Sequence, residues 1–226
     1  MKINIYHLID GAKKAKGLTV IIDVFRAYSM EAYLFSFGAK SIIPLADKEK
    51  AYALKKTHPD YLLAGERHGE ILPGFDMGNS PSSIIDNVLD KTVIHTTSAG
   101  TQGIENAINA DEILGGSLVT AKATAAYIKQ KNPEEVSLVC MGLEALEQAD
   151  EDTLCANYIK SILESTPFDV TIECEKLRFT TGAKFFDEAQ QKVFPNKDFF
   201  MCTKCDAFPF VLRFNKEKGI MEKIDL

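Results

Sequence analysis

The sequence has no apolar run approaching the about 18 residues that a membrane-crossing helix needs. Its start, MKINIYHLID, lacks the basic-then-apolar pattern of a secretory signal. The expectation is a cytoplasmic protein with no membrane partner. Basic charge is also short, with 26 Lys and Arg against 32 Asp and Glu and a net charge of −6. A nucleic-acid partner is not expected, because neutralising a phosphate backbone takes a basic face. Cysteines are few and odd in number, 5 in 226 residues, and Cys140, Cys155 and Cys174 stand in apolar contexts. That usage fits free thiols in a reducing compartment better than a disulfide framework. No proline-rich or glycine-serine linker interrupts the chain, so residues 1–226 are expected to form one compact domain, with association into a homo-oligomer left open. The scarcest cation is arginine, present only as Arg26, Arg67, Arg178 and Arg213. Where those four sit is therefore informative.

What remains, 46% hydrophobic and 26% charged residues, is the composition of a globular protein. Strand-like apolar runs at 18–25, 41–46, 61–65, 92–97, 112–118 and 136–141 alternate with helix-like stretches at 30–37, 48–57, 83–89 and 121–130. A strong helical pattern starts at Glu151, and residues 208–214 read as a late strand. This rhythm predicts an α/β fold of three layers, α/β/α, with a largely parallel or mixed sheet. The stretches starting at Thr19 and Thr92 share one strand-loop-helix-strand-helix order, consistent with an internal βαβα duplication. Loops beyond the carboxyl ends of such strands are where ligands gather.

Several of those loops carry chemistry. Asp23 closes an apolar run and Arg26 follows it; a buried carboxylate needs a partner or a metal, so the two read as an ion pair closing a turn or as an acid beside an anion-binding arginine. A dehalogenase-type aspartyl-phosphate site would put a second acid at position 25, where Phe25 stands. Glycines at 65, 69, 74 and 78 flank Glu66, Arg67 and His68 and allow close approach of backbone amides to a ligand. His68 reads as a proton donor or a surface residue. Asn79 and Ser80 stand where they can cap a helix after Pro81, a ready anion site. Thr96, Thr97, Ser98, Gly100 and Thr101 offer hydroxyls and amides for an oxyanion without the lysine of an ATP-binding loop. Asp150, Glu151 and Asp152 open a helix, where the macrodipole favours acids and where Mg²⁺ also finds oxygen ligands. Cys155 reads as a small buried hydrophobe, and Cys202 with Cys205 supplies too few ligands for zinc.

In this order, DVFRA, GERHGEILPGFDMGNSP, TSAGT and EDTLCA resemble the 2-phosphosulfolactate phosphatase family of coenzyme M biosynthesis, from about Thr19 to the helix after Asp152. The resemblance implies Mg²⁺-dependent hydrolysis of 2-phospho-3-sulfolactate to 3-sulfolactate and phosphate on a three-layer α/β fold. It carries over to Asp23, Arg26, Glu66, Arg67, Gly74, Phe75, Asp76, Gly78, Asn79, Ser80, Pro81, Thr97, Gly100, Thr101, Glu151, Asp152 and Cys155. The chain departs from the family where GERGG reads Gly65-Glu66-Arg67-His68-Gly69 and where TTNGT reads Thr97-Ser98-Ala99-Gly100-Thr101. Losing an asparagine at position 99 removes a ligand donor and bears on the substrate more than on phosphate chemistry.

Residue chemistry agrees with that reading. A small ester with three anionic groups calls for metal, guanidinium forks and amide or hydroxyl donors in one crevice. Asp23, Glu66, Glu151 and Asp152 are the catalytic candidates, with Asp23, Glu151 and Asp152 as Mg²⁺ ligands. Arg26, Arg67, Asn79, Ser80, Thr97, Ser98, Gly100 and Thr101 are the substrate-binding candidates. The alternatives are a phosphatase for another phosphorylated hydroxy acid, or a non-catalytic protein binding a small anion.

Overall fold

The computed structural model describes all 226 residues and contains one mixed sheet of 10 strands. In chain order the strands are β1 (Lys2–His7), β2 (Gly17–Ile22), β3 (Ser41–Pro44), β4 (Leu62–Arg67), β5 (Glu70–Ile71), β6 (Thr92–Thr96), β7 (Ala110–Gly116), β8 (Glu135–Cys140), β9 (Phe210–Asn215) and β10 (Ile220–Asp225). The helices are α1 (Leu8–Lys14), α2 (Ala27–Ser36), α3 (Lys48–Thr57), α4 (Gly100–Asn106), α5 (Ala121–Lys131), α6 (Asp150–Glu164), α7 (Val170–Lys176) and α8 (Asn196–Cys202). Across the sheet the order is β1-β8-β2-β7-β9-β10-β3-β6-β4-β5. Strands β1, β8, β2 and β7 are mutually parallel, and so are β3, β6 and β4. The antiparallel hairpin β9–β10 joins these two groups.

Side-chain alternation along the central strands builds the layers. In β2, Val20 and Ile22 pack with Ala125 and Ile128 of α5 and Ile159 of α6, whereas Ile21 packs with Ala12 of α1, Met30 of α2 and Ile104 of α4. Strands covered on both faces read as continuous apolar runs, which is how β2, β6 and β8 stand out in the sequence. Asp47 caps α3 by accepting the Glu49 N–H at 2.8 Å, so that helix starts where its sequence signal says.

Two connections exchange the chain between the strand groups. After β2 it passes through α2 into β3, beside β6; after β6 it passes through α4 into β7, beside β2. The two helix starts meet: a Cβ added to Gly100 would lie 3.0 Å from the Ala27 Cβ and 3.1 Å from Asp23 Oδ2. This crossing puts the loops after β2 and β6 in one place.

Two sequence readings need correction. Residues 83–89 form no α-helix: two 3₁₀ turns, Pro81–Ser83 and Asp86–Val88, flank an extended Ile84-Ile85 pair whose side chains pack on the core. A β-branched pair reaches the core from extended backbone more readily than from a helix. Strand β1 with α1, and strand β10, lie outside the stretches recognised from the sequence. The two strands alternate half-buried with polar positions, a weaker signal than the apolar runs between them. All five cysteines are free, as their usage in the sequence predicts.

Gly115 in β7 carries the junction of the two crossing helices. A Cβ there would sit 2.5 and 2.7 Å from the Tyr28 ring, which is buried and whose hydroxyl donates to the Gly100 carbonyl at 2.9 Å. Overpacking of this kind typically costs about 1–3 kcal/mol. Gly115→Val is expected to lower the urea midpoint by about 2 kcal/mol of stability with an unchanged m-value; a wild-type midpoint would show that Tyr28 moves freely.

Candidate active site

The first residue beyond β2 is Asp23, with only 7% of its surface exposed. Burial pushes its carboxyl up to about 7; the charges of Glu66 and Glu151 add to the rise, and the N–H groups of Ala27 and Gly100 oppose it. The Ala27 N–H donates to Oδ1 at 3.3 Å. Glu151 and Asp152 enter from the first turn of α6, where the helix dipole favours acids. Asp152 accepts the Val24 N–H at 2.9 Å and the Gly142 N–H at 2.8 Å, one on each oxygen, and so stitches the loop after β2 to the loop after β8. Burial raises both α6 acids. For Asp152 the neighbouring charges of Glu151 and Asp23 raise it further, while for Glu151 a hydrogen bond from the Thr181 hydroxyl and the charge of Lys184 oppose the rise.

Glu66, on β4, faces these acids across the cavity. Its Oε2 accepts the Gly69 N–H at 2.8 Å, and its Oε1 accepts the N–H and hydroxyl of Ser98 at 2.8 and 2.9 Å. Glu66 thereby fixes the loop between β6 and α4. The resulting cavity, about 120 Å³, is lined by Asp23, Arg26, Glu66, Asn79, Thr97, Ser98, Glu151 and Asp152 among the residues expected from the sequence. Lys184, Phe25, Phe194, Ala99 and Glu144 also line it, and His68 sits at its mouth. His68 is exposed there, with Nδ1 2.6 Å from Glu144 Oε1.

Other expected residues serve the frame. Arg67 lies outside the cavity and donates to the carbonyls of Glu66 and Ala46 at 2.6 and 2.7 Å and to Thr96 Oγ1 at 3.1 Å. Adjacent residues of a strand point to opposite faces, so with Glu66 turned to the cavity Arg67 turns away. Arg26 touches the cavity but is ion-paired to the buried Asp198 at 3.0 Å, not to Asp23. Its Nη1 also donates to the Val193 carbonyl at 2.8 Å and its Nη2 to that of Gly69 at 3.3 Å. Ser80 caps no helix: its hydroxyl donates to Asp198 Oδ1 at 2.9 Å, beside the Ser82 N–H at 3.0 Å. Asn79 holds His95 (Oδ1 to Nε2, 3.1 Å), whose Nδ1 is 2.9 Å from Glu31 Oε1. Thr101 turns back, its hydroxyl donating to the Thr97 carbonyl at 2.9 Å, and Gly100 offers its N–H to Asp23.

Sequence reasoning missed Thr181, Lys184, Phe194 and Asp198, all from the excursion between α7 and α8 or from α8 itself. The stretch TTGAKFF at 180–186 combines hydroxyls with a glycine, the residue types that mark the loop at 97–101, and adds a cation. Cys155 is fully buried, and its thiol is pushed up by that burial, as a packing residue requires.

Residues 3–217 match the model of the 2-phosphosulpholactate phosphatase family. Among similar proteins, one from Bacillus subtilis is 32% identical over 221 residues, covering 96% of this chain and 95% of its own length. A second, from Thermoplasma volcanium, is 29% identical and covers 93% of this chain and 96% of its own. A third, from Caldicellulosiruptor saccharolyticus, is 40% identical over 154 residues, 66% of this chain and 63% of its own. Each bears the name "Probable 2-phosphosulfolactate phosphatase".

Crowded, buried acids carry a pH signature. Because Asp23 ionises near 7 in the folded chain and near 3.8 when unfolded, the unfolded state releases its proton first. Stability from this group is complete below about pH 4 and is lost as the pH rises through about 7. In chelator, Asp23→Asn should gain on the wild type by at least about 1 kcal/mol between pH 5 and pH 8. Urea midpoints at the two pH values test this, and an unchanging difference between the two proteins would refute it.

Proposed function

The chain belongs to the 2-phosphosulpholactate phosphatase family, and on that premise we propose that it hydrolyses 2-phospho-3-sulfolactate to 3-sulfolactate and phosphate with Mg²⁺. The observation that carries the reading is the convergence of Asp23, Glu66, Glu151 and Asp152 on one small polar cavity, with hydroxyl and amide donors opposite. A receptor for a small anion gains nothing from acids of this number, whereas a phosphatase uses them to hold a cation and to take a proton.

The acids suit Mg²⁺ in a particular way. No three acidic, histidine or cysteine side chains close around a common point. Mg²⁺ takes one or two carboxylates, keeps several waters and completes its shell with substrate phosphate, so a closed protein cage is not required. Asp23 and Glu151 are the pair that would hold it, since both are buried and each raises the cost of the other's charge. Asp152, with a backbone N–H on each oxygen, positions the loops and is not assigned as a ligand. When bound, the ion would neutralise phosphate charge and lower the proton affinity of water.

The chain's own groups supply the rest. The attacking water gives up one proton, and a single carboxylate of the pair, Asp23 or Glu151, accepts it. Thr97 presents its hydroxyl to phosphate oxygens, while the N–H and hydroxyl of Ser98 are both spent on the Glu66 carboxylate and hold that loop in place. Phe25 and Phe194 limit access of bulk water. Ala99 lines the cavity where the family pattern has asparagine, which favours testing phosphorylated hydroxy acids without a sulfonate beside the named substrate.

Phosphate release from such a panel, compared by kcat/KM, is expected to be abolished by chelation and restored by Mg²⁺; full activity after exhaustive chelation would refute the assignment. Folded Asp23→Asn is expected to lose at least about a hundredfold in kcat, because asparagine keeps the shape and removes the charge.

A further inference from the structure

The charges around the cavity do not balance unless one more group is given a part. Asp23, Glu66, Glu151 and Asp152 line it, and a phosphate monoester adds further negative charge. Of the cations at its wall, Arg26 has both Nη atoms committed to protein oxygens and its charge matched by Asp198. His68 stands in solvent at the mouth against Glu144. Arg67 lies outside. That leaves Lys184.

Lys184 sits on a 3₁₀ turn, Ala183–Phe186, three residues after the Thr181 that bonds Glu151. It is half-buried and lines the cavity. Its ammonium lies 5.1 Å from the Phe194 ring centre and 5.6 Å from that of Phe185, and it forms no hydrogen bond or ion pair with any protein acceptor. Aromatic faces hold an ammonium by cation–π attraction without consuming its N–H donors. All three donors are therefore available to a ligand. Electrostatically, Lys184 is felt by Glu151, which places its charge among the acids.

We propose that Lys184 is the cation that grips the phosphoryl group, delivered to the cavity by the excursion between α7 and α8. The inference rests on the phosphatase reading and adds to it the residue that receives the substrate's charge. A lysine suits the task as a compact point charge able to follow phosphoryl oxygens as they rearrange. A charge-assisted hydrogen bond of this kind corresponds to about a 10- to 100-fold effect on binding or rate.

Lys184→Met and Lys184→Arg should be compared with wild type in two assays. One is kcat/KM for phosphate release with Mg²⁺; the other is binding of inorganic phosphate by calorimetry. Lys184→Met is expected to lose about 10- to 100-fold in both, to show a flatter dependence of kcat/KM on salt, and to be partly restored by arginine. Urea midpoints identify any variant that fails to fold, and Lys184→Gln then takes its place. If wild type is active and folded Lys184→Met stays within twofold in both assays, the inference is overturned. A change in Mg²⁺ requirement with phosphate affinity intact also overturns it, since that is what a merely structural partner of Glu151 would give. If wild type hydrolyses no ester, the phosphatase reading fails, and weaker phosphate binding by Lys184→Met still supports Lys184 as the anion's cation.

Discussion

The buried ion pair of Arg26 and Asp198 holds the working part of the molecule together. Arg26 comes from the loop after β2 and Asp198 from α8; Ser80 and Ser82 join through Asp198, and Gly69 and Val193 through Arg26. Four separated segments thus meet at two side chains with almost no exposure. A pair so buried is no large source of net stability, since desolvation offsets attraction, but removing either member strands the other at a cost of about 3–5 kcal/mol. Its value is geometric. It seats the excursion that brings Thr181, Lys184 and Phe194 over the acids.

Those acids are held in a state the folded chain would avoid by itself. Three carboxyls are pushed upward by burial and by one another, and backbone N–H groups relieve this only in part. Proteins break local rules of this kind where function demands it. The strain has a chemical use, because a cation or proton entering the cavity meets groups that gain from its arrival. Glu66 shows the contrasting solution: three donors from Gly69 and Ser98 satisfy its carboxylate and turn it into a strut.

Legibility in the sequence followed burial. Strands such as β2, with Leu18, Val20, Ile21 and Ile22 all buried, announce themselves as apolar runs. The half-exposed β1 and β10 do not. For the site, Asp23, Glu66, Glu151 and Asp152 were readable because each acid stands against an apolar run or opens a helix, where an unneutralised charge needs a reason. Arg67 was misread because its type suggested an anion, while strand alternation turns it from the cavity. Lys184 was invisible for another reason. It is one lysine among many, and only the packing of Phe185 and Phe194 and the emptiness of its donor set mark it out.

The order of the sheet has a consequence for how the protein is made. Strands β9 and β10 are last in the chain, yet they form the seam between β7 and β3. While a ribosome is still extending the chain, both parallel groups can be present with no backbone ladder between them. The sheet stays in two pieces until residues 210–225 emerge from the exit tunnel. The exposed borders of β7 and β3 are then nascent edges, open to mispairing with other chains. A chaperone that shields them would act latest on the parts of the sheet that were synthesised early.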